Sequence, residues 1–230
     1  MTNRQRLKKA LKMTFPVFTG YLCLGAGFGI LLESKGYGVL WALVMSITMY
    51  AGSMQYVAVD LIATGASLIS VAITTLLVQA RHLFYGISIL DKYKGAGVKK
   101  AYMIHALTDE TYSLICSDDS YDRTLYFYVS VLDHLYWITG CVLGDLIGTL
   151  FDFNTEGVDF VLTALFVTIF IEQWLTTKNH LSAIIGIAST TVCLFIFGRE
   201  MFLIPSMVLI TVLLTVLKKF TGHKEGRNDV

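Results

Sequence analysis

Seven charged residues stand within or at the ends of the chain's apolar runs: Asp60, Arg81, Asp109, Glu110, Asp133, Asp145 and Glu172. In a bilayer each would cost roughly a few kcal/mol, so each marks a substrate or ion path unless a partner or water accounts for it. Asp60, Asp145 and Glu172 lie near run ends, where facing water or capping a helix is account enough. Arg81 is the one cation of the set, in the context Gln79-Ala80-Arg81-His82-Leu83-Phe84-Tyr85-Gly86. A guanidinium grips a carboxylate through two parallel hydrogen bonds and stays charged when buried. Tyr85, four residues on, shares its helix face. Two roles are open to Arg81: anchor or gating partner for a substrate carboxylate, or structural ion pair with Asp109, Glu110 or Asp133.

A second cluster is His105-Ala106-Leu107-Thr108-Asp109-Glu110-Thr111-Tyr112, where a helix would put His105, Asp109 and Tyr112 on one face. Two adjacent carboxylates repel and hold a proton between them, which suits an ammonium ligand or a proton relay. No further ligand cluster accompanies them, so no metal is expected. A third patch is Asp133-His134 with Tyr136 and Trp137, Asp133 and Trp137 sharing a face. The fourth is Tyr50-Ala51-Gly52-Ser53-Met54-Gln55-Tyr56, in which Ser53 and Gln55 can serve a ligand or a neighbouring helix. One fixed cation, several carboxylates and apolar walls suit a zwitterion with an apolar side chain.

The elements that must position these groups follow from composition. Of 230 residues, 55% are hydrophobic and only 15% charged, with mean hydropathy +0.64. Soluble domains carry about 25% charged residues, and a chain of this size has too much surface to hide such an excess. A bilayer is the solvent it needs. That excludes an ordinary cytosolic enzyme, a nucleic-acid binder and a disordered tail. Spans of about 20 apolar residues are expected at 16–32, 39–62, 67–90, 125–150, 158–174, 181–197 and 201–217, with 101–116 an eighth crossing or a re-entrant piece. The fold class is an all-α polytopic membrane helix bundle of seven or eight helical segments. Residues 1–14 and 219–230 read as basic cytoplasmic tails around one transporter domain, 15–218. Both termini are expected inside by the lysine and arginine bias. The break at 151–157 carries Asp152 and Glu156 and is expected outside. Eight spans satisfy this, but they put the four lysines of 91–100 outside; re-entrant segments at 16–32 and 101–116 would return that loop to the inside.

Gly140, Gly144 and Gly148 form a ladder of close-approach positions, and Gly25 and Gly29 another. Gly25, Gly27 and Gly29 with Gly20 predict an unwound first helix, and Gly52 a second irregularity; transporters expose backbone to substrate at such breaks. Inverted repeats are expected over 15–90 and 101–174. Cys23, Cys116, Cys141 and Cys193 stand singly, as packing residues. No small-residue cleavage site follows the first apolar run, so no signal peptide is expected. No phosphate-binding loop indicates an ATP-driven mechanism. We expect no enzyme, cofactor or nucleic-acid partner.

Tyr50-Ala51-Gly52-Ser53-Met54-Gln55, Arg81-His82 with Tyr85-Gly86, and Thr108-Asp109-Glu110 resemble, in that order, the AzlC family of bacterial permeases. Tyr136-Trp137 with Gly140 and Gly144, Val158-Asp159-Phe160 with Ala164-Leu165-Phe166, and Pro205 extend the similarity over nearly the whole chain. Gln79, where asparagine is frequent, and Leu22-Cys23-Leu24, where a proline is frequent, depart from the pattern. The resemblance implies an inner-membrane exporter of branched-chain amino acids and analogues, working with a small hydrophobic AzlD-type subunit. Ser53, Gln55, Arg81, His82, Tyr85, Asp109, Glu110, Asp133 and Trp137 are the candidate substrate and coupling residues. With no ATP site, proton entry would drive export, carried by Asp109 or Glu110 and then Asp133. The competing class is a cation channel or a non-transporting membrane scaffold.

Overall fold

A computed structural model describes residues 1–151, 167, 170–171, 174–175 and 180–225. The chain divides into two compact units, 1–163 and 164–230. Among the described residues all regular structure is helical. Glu172 and most of the expected span 158–174 lie outside them.

In the first unit α1 runs from Asn3 to Ser34 without interruption, capped by Thr2 and Gln5 in a reciprocal box. The basic segment expected as a tail is therefore the first three turns of this helix. The expected unwinding at Gly25, Gly27 and Gly29 does not occur; these residues are helical. Their smallness is used instead for approach to α8 (Arg123–Leu150). A Cβ on Gly25 would lie 2.9 Å from the Cys141 nitrogen, and one on Gly140 2.6 Å from the Tyr21 carbonyl oxygen. At Gly29 and Gly144 the facing backbone is closer still. The contacts run in step from Tyr21 with Trp137 to Glu33 with Gly148, so α1 and α8 are parallel.

The expected span 39–62 is two short helices, α2 (Val39–Thr48) and α3 (Gly52–Ala63). They double back: Lys35, before α2, pairs with Asp60, near the end of α3, at 3.7 Å. Straight helices of those lengths would put these positions about 30 Å apart. The expected crossing at 101–116 is also two helices, α6 (Lys99–His105) and α7 (Asp109–Cys116). This pair doubles back to the opposite end of α1, because Asp118 accepts from Lys9 while Lys92 donates to the carbonyls of Ile115, Cys116 and Asp118 at 2.8, 3.0 and 2.6 Å. Arg6 adds an ion pair to Asp122 at 2.6 Å. Between the hairpins α4 (Leu68–Ser88) runs from one end to the other, bent by 54° between Leu76 and Arg81, and a single turn, α5 (Leu90–Tyr93), follows. Loop 91–100 thus shares an end of the first unit with the N-terminus, and the hairpins lie at 39–63 and 99–116, while 16–32, expected as a possible re-entrant segment, is an unbroken part of α1. By length and composition α1 and 181–198 are apolar enough to cross a membrane, and the bent α4 counts as a third such segment among the described residues.

In the second unit α9 (Leu181–Met201), kinked at Gly198 with φ 73°, packs on α10 (Leu203–Glu225). The second expected repeat runs into undescribed residues.

Candidate functional site

The hairpin tips lie beside the middle of α1. Met49–Ala51 forms the first, with Tyr50 in the left-handed region at φ 37°, a conformation rare for a bulky residue. The last carbonyls of α2 are not abandoned there: His134 Nε2 donates to Ser46 O at 3.1 Å and His105 Nε2 to Ile47 O at 3.0 Å. Tyr102 Oη donates to His134 Nδ1 at 2.9 Å, fixing its tautomer, and the Tyr50 ring stacks on His134 at 4.1 Å. Gly52 begins α3 with its α-carbon turned to Trp137, whose ring a Cβ would meet at 3.3 Å.

The second tip, Ala106–Thr108, separates His105 from Asp109 and Tyr112, which therefore do not share one helical face. Thr108 caps α7 by accepting from Thr111 N at 3.3 Å, and Asp109 and Glu110 fill the first turn, where helix dipole and carboxylate attract. Arg81 Nη2 meets Asp109 Oδ2 at 2.9 Å and donates to Ser53 at 3.2 Å. Gln55, fully buried, accepts from Trp137 Nε1 at 2.8 Å. Tyr85 stacks on Tyr112 at 4.4 Å, and His82 packs beside Tyr85.

Glu110 and Asp133 are joined by three hydroxyls. Tyr21 Oη lies 2.7 Å from Glu110 Oε2 and 2.6 Å from Thr108 Oγ1. Thr108 Oγ1 lies 3.1 Å from Thr111 Oγ1, which donates to Asp133 Oδ2 at 2.8 Å. Asp133 and Thr111 are wholly buried, and Asp133 Oδ1 has no hydrogen-bond partner among the described residues. Tyr21, Thr108 and Thr111 look like packing residues in the sequence; only the Thr-Asp-Glu order, a helix-start signal, points to one of them. Asp145 corrects an expectation: rather than facing water, it is fully buried in the α1–α8 seam and neither carboxylate oxygen has a hydrogen-bond partner among the described residues. Asp60 is exposed, as expected.

The family model described as AzlC protein matches residues 16–151. The chain belongs to the AzlC family. It is 43% identical over 216 residues to the branched-chain amino acid transport protein AzlC of Bacillus subtilis, covering 92% of this chain and 85% of the relative. An uncharacterised membrane protein of Helicobacter pylori is 42% identical over 219 residues, covering 92% and 96%. The inner membrane protein YgaZ of Escherichia coli is 25% identical over 145 residues, about 60% of each. No solved structure matches. The AzlC match holds both hairpins and all of Arg81, Asp109, Glu110 and Asp133. The family is one of membrane transport, not of enzymes.

Proposed function

We propose that this AzlC-family protein exports branched-chain, apolar amino acids across the bacterial cytoplasmic membrane, driven by proton entry and together with a small AzlD-like subunit. Both termini face the cytoplasm, and 15–218 acts as one transporter domain. The observation that carries the mechanism is the hydroxyl chain between Glu110 and Asp133. With one proton shared by the two carboxyls, the hydrogens orient in either of two complete ways. Protonated Glu110 donates to Tyr21, Tyr21 to Thr108, Thr108 to Thr111, and Thr111 to the Asp133 carboxylate. With the proton on Asp133 every donor reverses. Such a chain relays a proton between helices without water.

Arg81 and Asp109 form the gating pair, for which the substrate carboxylate competes. Lysine lacks the planar fork, and a hydrogen bond to a charged group is worth roughly 1.5–3 kcal/mol. Arg81→Lys is therefore expected to weaken leucine affinity more than tenfold at about 1.4 kcal/mol per decade. Unchanged affinity in a normally expressed variant would remove Arg81 from substrate recognition.

The substrate class rests on the Bacillus subtilis relative. Its test is efflux of labelled leucine or valine from loaded vesicles, with and without the small subunit and an inward proton gradient. Saturable, partner-dependent, gradient-driven efflux is expected. An ohmic cation current would establish a channel instead, and no movement of either would leave a scaffold.

A further inference from the structure

The first three turns of α1 present two faces. One is tied down: Arg6 pairs with Asp122, Lys9 pairs with Asp118, and Ala10 and Thr14 are fully buried. These ties fix the rotation of the helix, so the opposite face is held outward. It carries Arg4, Lys8 and Lys12, all exposed, at the four-residue spacing of one helical row. Leu7, Leu11 and Phe15, also exposed, run beside that row. No acidic residue precedes Glu33 in the sequence. No carboxylate pairs with Arg4, Lys8 or Lys12 among the described residues.

The length of α1 says where this face lies. Its 32 residues extend about 48 Å at 1.5 Å per residue, and a bilayer with its headgroup layers is roughly 40–45 Å thick. A helix of that length crossing the bilayer puts its first turns among the headgroups of one side. Water would leave the apolar row exposed, and hydrocarbon would not take three cations. An interface accepts both: apolar side chains meet acyl chains, while lysine and arginine stems lie along them with their heads at the level of the phosphates.

We infer that this face of α1 binds an anionic phospholipid, with the headgroup phosphate on Arg4, Lys8 and Lys12 and the upper acyl chain against Leu7, Leu11 and Phe15. Arginine can grip a phosphate through two parallel hydrogen bonds, and the lysines add point charges. Three cations with no acid among them favour an anionic lipid over a zwitterionic one, whose ammonium they repel. The inference concerns the membrane and does not depend on which solute the protein moves.

The test melts the full-length protein in neutral detergent with added phosphatidylglycerol, phosphatidylcholine or inorganic phosphate. Phosphatidylglycerol alone is expected to raise the melting temperature, saturably and less at high salt. Arg4→Gln, Lys8→Gln and Lys12→Gln together keep good helix formers and should melt as wild type in phosphatidylcholine. Each cation at a lipid surface is worth about fivefold in affinity. The triple variant should therefore need about a hundredfold more phosphatidylglycerol for half the shift. Lys8→Arg with Lys12→Arg should keep the wild-type dependence, and Leu7→Gln with Leu11→Gln, which keep every charge, should weaken it about tenfold. An undiminished shift in the triple variant would overturn the site. So would an equal shift of the wild type by phosphatidylcholine, which is general solvation by lipid, or by inorganic phosphate, which is a simple anion effect.

Discussion

The α1–α8 seam and the hairpin tips reverse what their sequences suggest. The seam is rich in glycine yet fully helical; the first tip breaks at Met49-Tyr50-Ala51, without a glycine before the break. In the seam, missing side chains let two backbones touch, and among the described residues the Asp145 carboxylate is left there without a hydrogen bond. At the tip, the carbonyls released by the break are taken by His105 and His134 from distant segments. Glycine in an apolar helix is thus a statement about its neighbour. A break is set by whatever is available to satisfy it.

The largest expected effect lies in the seam. Gly29→Leu drives a side chain into the backbone of Cys141 and Asp145; overpacking typically costs 1–3 kcal/mol, and immovable backbone puts this at about 3 or more. Detergent-extracted folded protein should largely vanish. Gly20 has nothing within 4 Å of a Cβ, so Gly20→Ala should be neutral or stabilise by up to about 1 kcal/mol, read by thermal melting. Equal damage from both would dismiss the close approach of α1 and α8 at Gly29.

Next comes the hydroxyl chain. Tyr21→Phe deletes one link without altering charge, and should abolish gradient-driven leucine efflux while exchange at equal pH persists. Glu110→Gln and Asp133→Asn should do the same. Intact uphill export with its pH dependence in these variants would dismiss the relay.

A smaller effect is expected at the gate. Arg81→Ala leaves the Asp109 carboxylate without its ion pair, costing about 1–3 kcal/mol for a partly exposed pair. Asp109→Asn in the same chain should restore part of the melting temperature, and no restoration would dismiss the pair.

How much of this the sequence carried depends on what each feature needs. The helices α1, α4, α8, α9 and α10 were legible from apolar runs, and Arg81, Asp109, Glu110 and Asp133 from the cost of charge in lipid. The breaks were not, because 39–62 is apolar throughout and its interruption is maintained by hydrogen bonds from His105 and His134, 58 and 88 residues from their acceptors. Tyr21, Thr108 and Thr111 were not among the candidate site residues for a related reason: a hydroxyl on a helix gains meaning only from the helix opposite.

The smallest effect is at the surface that ties the N-terminal turns to the α7–α8 loop. Burial pushes the Asp118 carboxyl up, but hydrogen bonds from Lys9 and Ser120 outweigh it and hold it below its ordinary value. Asp122 is lowered likewise, with Arg6 and the first amides of α8 overcoming burial. A lowered native value means stability present above about pH 4 and lost as pH falls through the native value. The first turns of α1 should fray there by up to about 1 kcal/mol, seen as faster proteolysis after Arg4 or Lys8; a flat profile would dismiss the tie.

The central claim is that the hairpins enter from opposite faces, with one crossing, α4, between them. Single cysteines at Ser34 and Lys94, both exposed, test it in a chain whose four native cysteines are replaced. An impermeant thiol reagent should label Ser34→Cys only from outside and Lys94→Cys only from the cytoplasm. Labelling of both from one face would contradict the account.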